Sequence, residues 1–178
     1  SSEIEKILLS LCFAFLTGVS AQIRIVLPFT PVPITGQVLF VLLSSVILGK
    51  NAYVSQIFYL AGGTIIPWFQ GANFLSIGVT TGYIIGFIPS AWIVGYLLEK
   101  ESNRNFLRIA GSMGLGIFII HFCGIMWLQS VIKFTVAKAI MLGTVPFVFP
   151  DIIKACMAVA IANKIMPSKF VKIHNKPL

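Results

Sequence analysis

The most unusual residues of the sequence are two ionisable side chains within an apolar segment near its C-terminal end. Asp151 and Lys154 are three residues apart, so they share one face if the segment is helical. A charged side chain at the centre of a bilayer costs about 2.5–3.5 kcal/mol, so such groups usually turn inward and pair, often at a substrate site. We therefore predict a ligand site here. The alternative is structural: Asp151, after Pro150, begins a helix and Lys154 neutralises it.

A second candidate set consists of small and neutral polar residues around position 80. Gly78 and Gly82 permit close approach of the backbone. Thr80 and Tyr83 supply hydroxyl groups, and Asn73 offers both donors and acceptors. Such a set can bind a neutral polar ring, although small residues also serve to pack helices in membranes.

A third candidate is the proline-rich segment 22–35. Pro28, Pro31 and Pro33 exclude a regular helix there. Irregular backbone at membrane depth persists only where it packs on protein or lines a cavity. We therefore predict an extended lid over a ligand, with a plain surface connector as the alternative.

Small residues at every fourth position mark the first apolar segment. Ser10, Ala14 and Gly18 form a stripe on one face of a predicted helix, which lets another helix approach closely. The sequence leaves open whether that second helix lies in the same chain or in a partner subunit.

Several kinds of catalytic or metal site are disfavoured. The sequence has no phosphate-binding GxxxxGK[ST] motif and no HExxH zinc motif. Five acidic residues leave little room for metal-dependent phosphotransfer. We interpret His121 as a buried neutral histidine rather than a proton relay, and the three cysteines as packing residues. We expect a binding protein without metal or cofactor rather than an enzyme.

The composition indicates which elements position these residues. The 178 residues are 57% hydrophobic and 10% charged, with a mean hydropathy of +0.96, whereas soluble domains carry about 25% charged residues. We predict an all-α, polytopic integral membrane protein that forms a single domain over residues 1–178. Its first segment resembles a cleavable secretory signal, but equally apolar segments follow it, so we expect a retained helix. Six transmembrane helices are predicted, at about 4–23, 36–49 (short for a span), 52–69, 74–98, 106–130 and 148–166.

The positions of the basic residues predict the orientation in the membrane. Six spans put both termini on one side, and Lys and Arg concentrate in cytoplasmic loops. This asymmetry, rather than nucleic-acid binding, explains the net charge of +8. Both termini are therefore predicted to be cytoplasmic. That side would carry Lys6, Lys50, Lys100, Arg104, Arg108, Lys164, Lys169, Lys172 and Lys176, and the other side only Arg24, Lys133 and Lys138.

The segment from Gln22 to Thr35, QIRIVLPFTPVPIT, resembles the signature loop of the BioY family, the biotin-specific S-components of energy-coupling-factor (ECF) transporters. The resemblance extends over nearly the whole chain. Its other parts are Leu48-Gly49-Lys50, Ser55-Gln56, Tyr59-Leu60, Pro67-Trp68-Phe69, Gly78 to Phe87, and Pro146 to Ala155.

This resemblance implies an S-component fold of six transmembrane helices in a bacterial plasma membrane, with biotin bound near the outer face under the first loop. The site residues it implies are Asp151 and Lys154, with Asn73, Thr80 and Tyr83 nearby. A carboxylate such as Asp151 can accept hydrogen bonds from the ureido ring of biotin. Arg24 or Lys154 could contact its carboxylate tail.

The resemblance also implies partners. Uptake would be energised by an ECF transmembrane coupling subunit and two ATPase subunits, with Ala14 and Gly18 on the docking stripe. Two departures from the family pattern motivate an alternative, an S-component for another small vitamin. They are Val79 and Thr81 in the segment 78–82, and Phe149-Pro150 before the aspartate. A small membrane enzyme or structural protein is the third hypothesis.

Overall fold

The computed structural model describes residues 3–63, 65, 78–100 and 106–165. Within this part, every regular element is a helix except for one short antiparallel ribbon, whose register pairs Arg24 with Thr35 and Ile25 with Ile34. The all-α prediction is therefore confirmed. The elements are α1 (Glu3–Gln22), β1 (Arg24–Ile25), β2 (Ile34–Thr35), α2 (Gln37–Leu48), a 3₁₀ turn (Gly49–Asn51), α3 (Ala52–Gly62), α4 (Thr81–Lys100), α5 (Phe106–Ser130), α6 (Val136–Gly143) and α7 (Val145–Ile165).

The outward faces of the long helices are apolar. On α5, Leu107 and Phe118 are 73% and 65% exposed, and Phe149 on α7 is 73% exposed. Small polar residues lie inside instead, and Ser10 and Thr17 donate to the carbonyl oxygens four residues before them. Apolar residues on the outside, and inward hydroxyl groups that donate to the backbone of their own helix, are typical of helices that lipid surrounds.

Five segments among the described residues are long and apolar enough to cross a membrane, and one of them, Gln37–Gly62, is not a straight helix. Gln37 Nε2 donates to the Tyr59 hydroxyl across 2.6 Å, whereas 22 residues of straight helix would separate the two residues by about 33 Å. The chain therefore reverses at the 3₁₀ turn. Gly49 has a φ of 58° there, a conformation that glycine adopts without strain.

This reversal makes α2 and α3 an antiparallel pair, so six helices enter the membrane region: α1, α2, α3, α4, α5 and α7. The second span is short, as predicted. The 12 residues of α2 extend about 18 Å, which is only part of a hydrocarbon core of about 30 Å.

Glycines on α4 and α5 bring these two helices into close contact. A Cβ on Gly82 would collide with Trp127 and with the Cys123 carbonyl, and one on Gly86 would come 2.9 Å from the Cβ of Cys123. Gly82 therefore packs helices rather than binding a ligand, as the alternative interpretation predicts. We call the α4–α5 contact at Gly82 and Gly86 the glycine seam.

The C-terminal half differs from the prediction at two places. Pro150 does not begin a helix, because α7 starts at Val145 and Pro150 is its sixth residue. Pro146 takes the second helical position, where no backbone N–H is needed. The helix α6 was not predicted. Thr135 caps it by accepting from the Lys138 amide, the role that threonine favours before a first turn.

The two ends of the bundle differ in their residues. We call the end that contains the β-ribbon and α6 the ribbon end. The opposite end contains the 3₁₀ turn, the start of α1 and the last turns of α4 and α7.

Candidate functional site

A cavity of about 470 Å³, part of it open to the outside, lies at the ribbon end. Residues of the ribbon, α2, α4, α5 and α7 line it. Most of its wall is apolar, as in Val38, Ile84, Phe87, Ile120 and Phe147.

A buried charged network occupies one side of this cavity. Asp151 is 3% exposed and lies on the face of α7 that also bears Lys154. Lys154 Nζ is 2.7 Å from Asp151 Oδ1, and His121 Nε2, on α5, is 2.8 Å from Asp151 Oδ2. The cavity therefore contains a carboxylate held on both sides by cationic or proton-donating groups, as a buried charge requires.

The end of α6 fixes the orientation of two of these side chains. The Gly143 carbonyl accepts from the Tyr83 hydroxyl at 2.7 Å and lies 3.2 Å from His121 Nδ1. Gly143 and Gly124 have no side chains where the Tyr83 ring lies, since a Cβ on either would collide with it. The last carbonyls of a helix lack partners within it. The contacts of the Gly143 carbonyl therefore satisfy the end of α6 and also orient Tyr83 and His121.

The ribbon covers the cavity. Val32 and Pro33 are buried and line it, while residues 24–26 on the other limb are exposed. Thr30 Oγ1 donates to the Leu142 carbonyl at 2.6 Å, which ties the ribbon to α6. The segment is thus extended and packed on protein, as its prolines and low polarity predict.

A chain of hydrogen bonds fixes the polar residues where the ribbon meets α2. Thr35 Oγ1 donates to Gln37 Oε1 at 2.7 Å, and Gln37 Nε2 donates to the Tyr59 hydroxyl at 2.6 Å. Both Thr35 and Gln37 line the cavity. Thr35 and Gln37 are thus held in place by hydrogen bonds to other protein groups, which makes this part of the wall rigid.

Four of the residues predicted for a substrate site line the cavity: Asp151, Lys154, Thr80 and Tyr83. The Tyr83 hydroxyl proton is committed to Gly143, so Tyr83 offers its ring rather than a free donor. Arg24 is exposed on the ribbon and is not part of the cavity wall. Asn73 lies outside the described residues.

The stripe Ser10, Ala14 and Gly18 is buried within this chain. It lies on the side of α1 that packs against α2 and α3. The structure therefore favours the internal alternative for these three residues, since a partner subunit has no access to them in this conformation.

Sequence reasoning left three polar cavity residues out of the predicted site: His121, Gln37 and Thr35. His121 carries a signal that could have identified it, because it is an imidazole in an apolar span, and ionisable groups there usually face inward and pair. No comparable signal distinguishes Thr35 and Gln37, since neutral polar residues beside a loop are common. Among the residues that the structure describes, no group of His, Cys, Asp and Glu could hold a metal ion.

Comparisons with known proteins identify the family of this chain and a solved structure with a similar fold. The family model of the BioY family matches residues 1–169. The biotin transporter BioY of Thermotoga maritima is 37% identical over 158 residues, which cover 86% of this chain and 90% of that protein. The biotin transporter BioY of Rhizobium etli is 26% identical over 177 residues, covering 93% of this chain and 94% of that protein.

A solved structure, the S-component for biotin from an ECF-type ABC transporter, matches with a TM-score of 0.82 at 23% sequence identity. The match covers 92% of this chain and 91% of that chain. It confirms the predicted S-component fold, and the family match confirms the predicted family. The chain is a multi-pass membrane protein, and it belongs to the BioY family.

Proposed function

We propose that this chain binds biotin with high affinity in the cavity at the ribbon end and serves its uptake across the membrane. One observation carries the proposal: a buried carboxylate, paired with Lys154 and His121, faces a largely apolar cavity that is partly open to the outside, in a chain whose relatives are biotin transporters. The protein acts as a binding subunit rather than an enzyme.

The chemistry of the cavity suits biotin. Biotin has a ureido ring with two N–H donors and a carbonyl, an apolar sulfur ring, and a carboxylate tail. An ionised carboxylate has about four acceptor positions, so Asp151 can accept from the ureido group while it contacts Lys154 and His121. Apolar residues such as Phe87, Ile120 and Phe147 can take the sulfur ring.

Lys154 is the better placed of the two cations considered for the carboxylate tail. It lines the cavity, whereas Arg24 is exposed outside the cavity wall. Asn73 remains a proposed contact on the strength of the family resemblance.

The departures from the family pattern do not favour another vitamin. Thr81 accepts from the Gly78 amide at 3.2 Å, and Phe149 points outward with 73% exposure. Neither residue, nor Val79, lines the cavity. The wall that a ligand would contact is therefore formed by other residues, which supports biotin over the alternative.

The ribbon end is proposed to face outward, so that biotin is captured from outside. Basic residues favour the cytoplasmic side. Apart from Lys154, which lies inside the bundle on α7, the ribbon end carries only Arg24, Lys133 and Lys138 among the described residues. The described basic residues at the opposite end are Lys6, Lys50, Lys100, Arg108 and Lys164.

Partner subunits are proposed to supply the energy for uptake. The sequence has no phosphate-binding GxxxxGK[ST] motif. A coupling membrane subunit and two ATPase subunits would therefore drive release on the inside, with lipid around the bundle.

Calorimetry with biotin tests the proposed function. Asp151→Asn keeps the shape of the side chain but removes its charge, so we expect tight binding by the wild type and a loss of at least about tenfold in the variant, since hydrogen bonds to charged groups contribute about 1.5–3 kcal/mol. Arg24→Gln is the matched control, a charge change at the same end outside the cavity wall. Riboflavin and thiamine complete the panel. Binding of either vitamin in preference to biotin would contradict the proposal.

A further inference from the structure

The contacts of His121 show where its protons lie. The Gly143 carbonyl can only accept, so His121 Nδ1, 3.2 Å away, carries a proton. In a neutral imidazole, Nε2 then has only a lone pair. Nε2 nevertheless lies 2.8 Å from Asp151 Oδ2. Two lone pairs repel at this distance, so a proton lies between these two atoms.

Lys154 indicates which of the two atoms holds this proton. Its ammonium nitrogen is 2.7 Å from Oδ1 of the same carboxylate, and an ammonium ion attracts an ionised carboxylate more strongly than a neutral acid. The proton therefore belongs to His121 as an imidazolium, which donates to Oδ2. Asp151 is then one negative charge between two positive charges.

This network has a surplus positive charge that no other described group around His121 offsets. From α4, the Tyr83 ring meets the imidazole edge-on at 5.8 Å, and its hydroxyl is bound to Gly143. From α7, Phe147 adds only an apolar ring. Cys123, on α5 itself, faces α4. The cavity residues of the ribbon and α2 include no titratable side chain.

The surplus charge is largely removed from water, because His121 is 7% exposed and Asp151 is 3% exposed. An unbalanced charge in such surroundings is costly unless a counter-charge is near. A ligand with one negative charge would restore the balance.

We propose that His121 is a positioning residue of the ligand site, and that its Nε2 proton gives the cavity the positive charge that an anionic ligand neutralises. The inference rests on the proposed function, because biotin carries one carboxylate at neutral pH. A ligand without that negative charge leaves the surplus positive charge of the cavity unbalanced. The cavity is therefore expected to distinguish an anionic ligand from a neutral ligand of the same shape.

The cavity is consequently expected to prefer a ligand with one negative charge. Biotin amide has the same rings as biotin but an uncharged tail, so it brings no negative charge to the cavity. Interactions of charged groups are stronger than those of neutral groups, so we expect the wild type to bind biotin at least about tenfold more tightly than biotin amide.

His121→Gln separates the charge from the hydrogen bond. Its amide N–H can donate to Asp151 but carries no charge and does not titrate. We expect this variant to prefer biotin over biotin amide by a smaller factor than the wild type does. Lys138→Gln is the matched control, since it removes an exposed cation at the same end and should keep the preference of the wild type.

The experiment is calorimetry of the full chain with biotin and with biotin amide. We expect the ratio of the two Kd values to be at least about tenfold in the wild type and in Lys138→Gln, and smaller in His121→Gln. An unchanged ratio in His121→Gln would overturn the inference alone. Absence of biotin binding by the wild type would instead contradict the proposed function.

The wild type alone also tests the inference, independently of how well the variant folds. Equal affinities of the wild type for biotin and biotin amide would overturn the inference.

Discussion

At the scale of single residues, substitutions of Asp151 and Lys154 can separate the contribution of this pair to stability from its contribution to ligand binding. Removing one partner of a buried ion pair costs about 3–5 kcal/mol, because the other charge stays buried without compensation, whereas neutralising both is often nearly neutral. Both side chains here are buried, with exposed fractions of 5% for Asp151 and 13% for Lys154. The pair is thus a constraint on folding as well as a candidate ligand contact.

We predict that Asp151→Asn lowers the unfolding temperature, because it leaves Lys154 without its counter-charge, and that the double variant Asp151→Asn, Lys154→Met recovers most of the loss. In the double variant the introduced amide can donate to His121 Nε2, which then becomes a neutral acceptor. Biotin binding is expected to be lost in both. Tryptophan fluorescence during thermal unfolding in detergent, followed by biotin titration, measures both properties. Tight biotin binding by the double variant would show that the pair has only a structural role.

His121 illustrates what the sequence could and could not predict at this scale. Asp151 and Lys154 could be paired from their spacing alone, since residues three apart share a helix face. His121 is 30 residues from Asp151, and no periodicity states which faces of α5 and α7 meet. That pairing depends on tertiary packing, which a single sequence does not specify.

At the scale of elements, the glycine seam sets how close α4 and α5 lie, and therefore where Tyr83 and His121 stand relative to each other. The long apolar segments were predictable because hydropathy and length define a membrane helix. The eight-residue α6 was not, because it is too short for such a signal and its only local mark is the cap Thr135. The start of α7 was misplaced because two prolines, Pro146 and Pro150, both fit a helix start by residue type.

We predict that Gly82→Ala destabilises the protein, because its Cβ would collide with Trp127 and the Cys123 carbonyl. Forcing extra volume into a close-packed contact typically costs about 1–3 kcal/mol. Gly111→Ala on α5 is the matched control, since a Cβ there meets nothing within 4 Å. The unfolding temperatures of the two variants in one detergent measure the difference. Equal stability of both variants would show that the helices can separate without cost.

At the scale of the whole molecule, the distribution of basic residues predicts the orientation in the membrane. Lys138 lies at the ribbon end and Lys50 lies at the opposite end. We predict that a membrane-impermeant maleimide labels Lys138→Cys in intact cells, but labels Lys50→Cys only after permeabilisation. The background is the chain with Cys12, Cys123 and Cys156 replaced, which also serves as the unlabelled control. The reverse pattern of labelling would place the cavity on the cytoplasmic side.

Two neighbouring carbonyls at the end of α6 connect the cover of the cavity with its interior. The Leu142 carbonyl holds Thr30 of the ribbon, and the Gly143 carbonyl holds Tyr83 and His121. Because both carbonyls belong to the last turn of one short helix, a displacement of α6 as a body moves both. We expect the position of the ribbon and the occupancy of the cavity to be coupled through α6, and such a coupling acts equally in both directions. The affinity for the ligand is then expected to depend on this small helix, and not on the cavity wall alone.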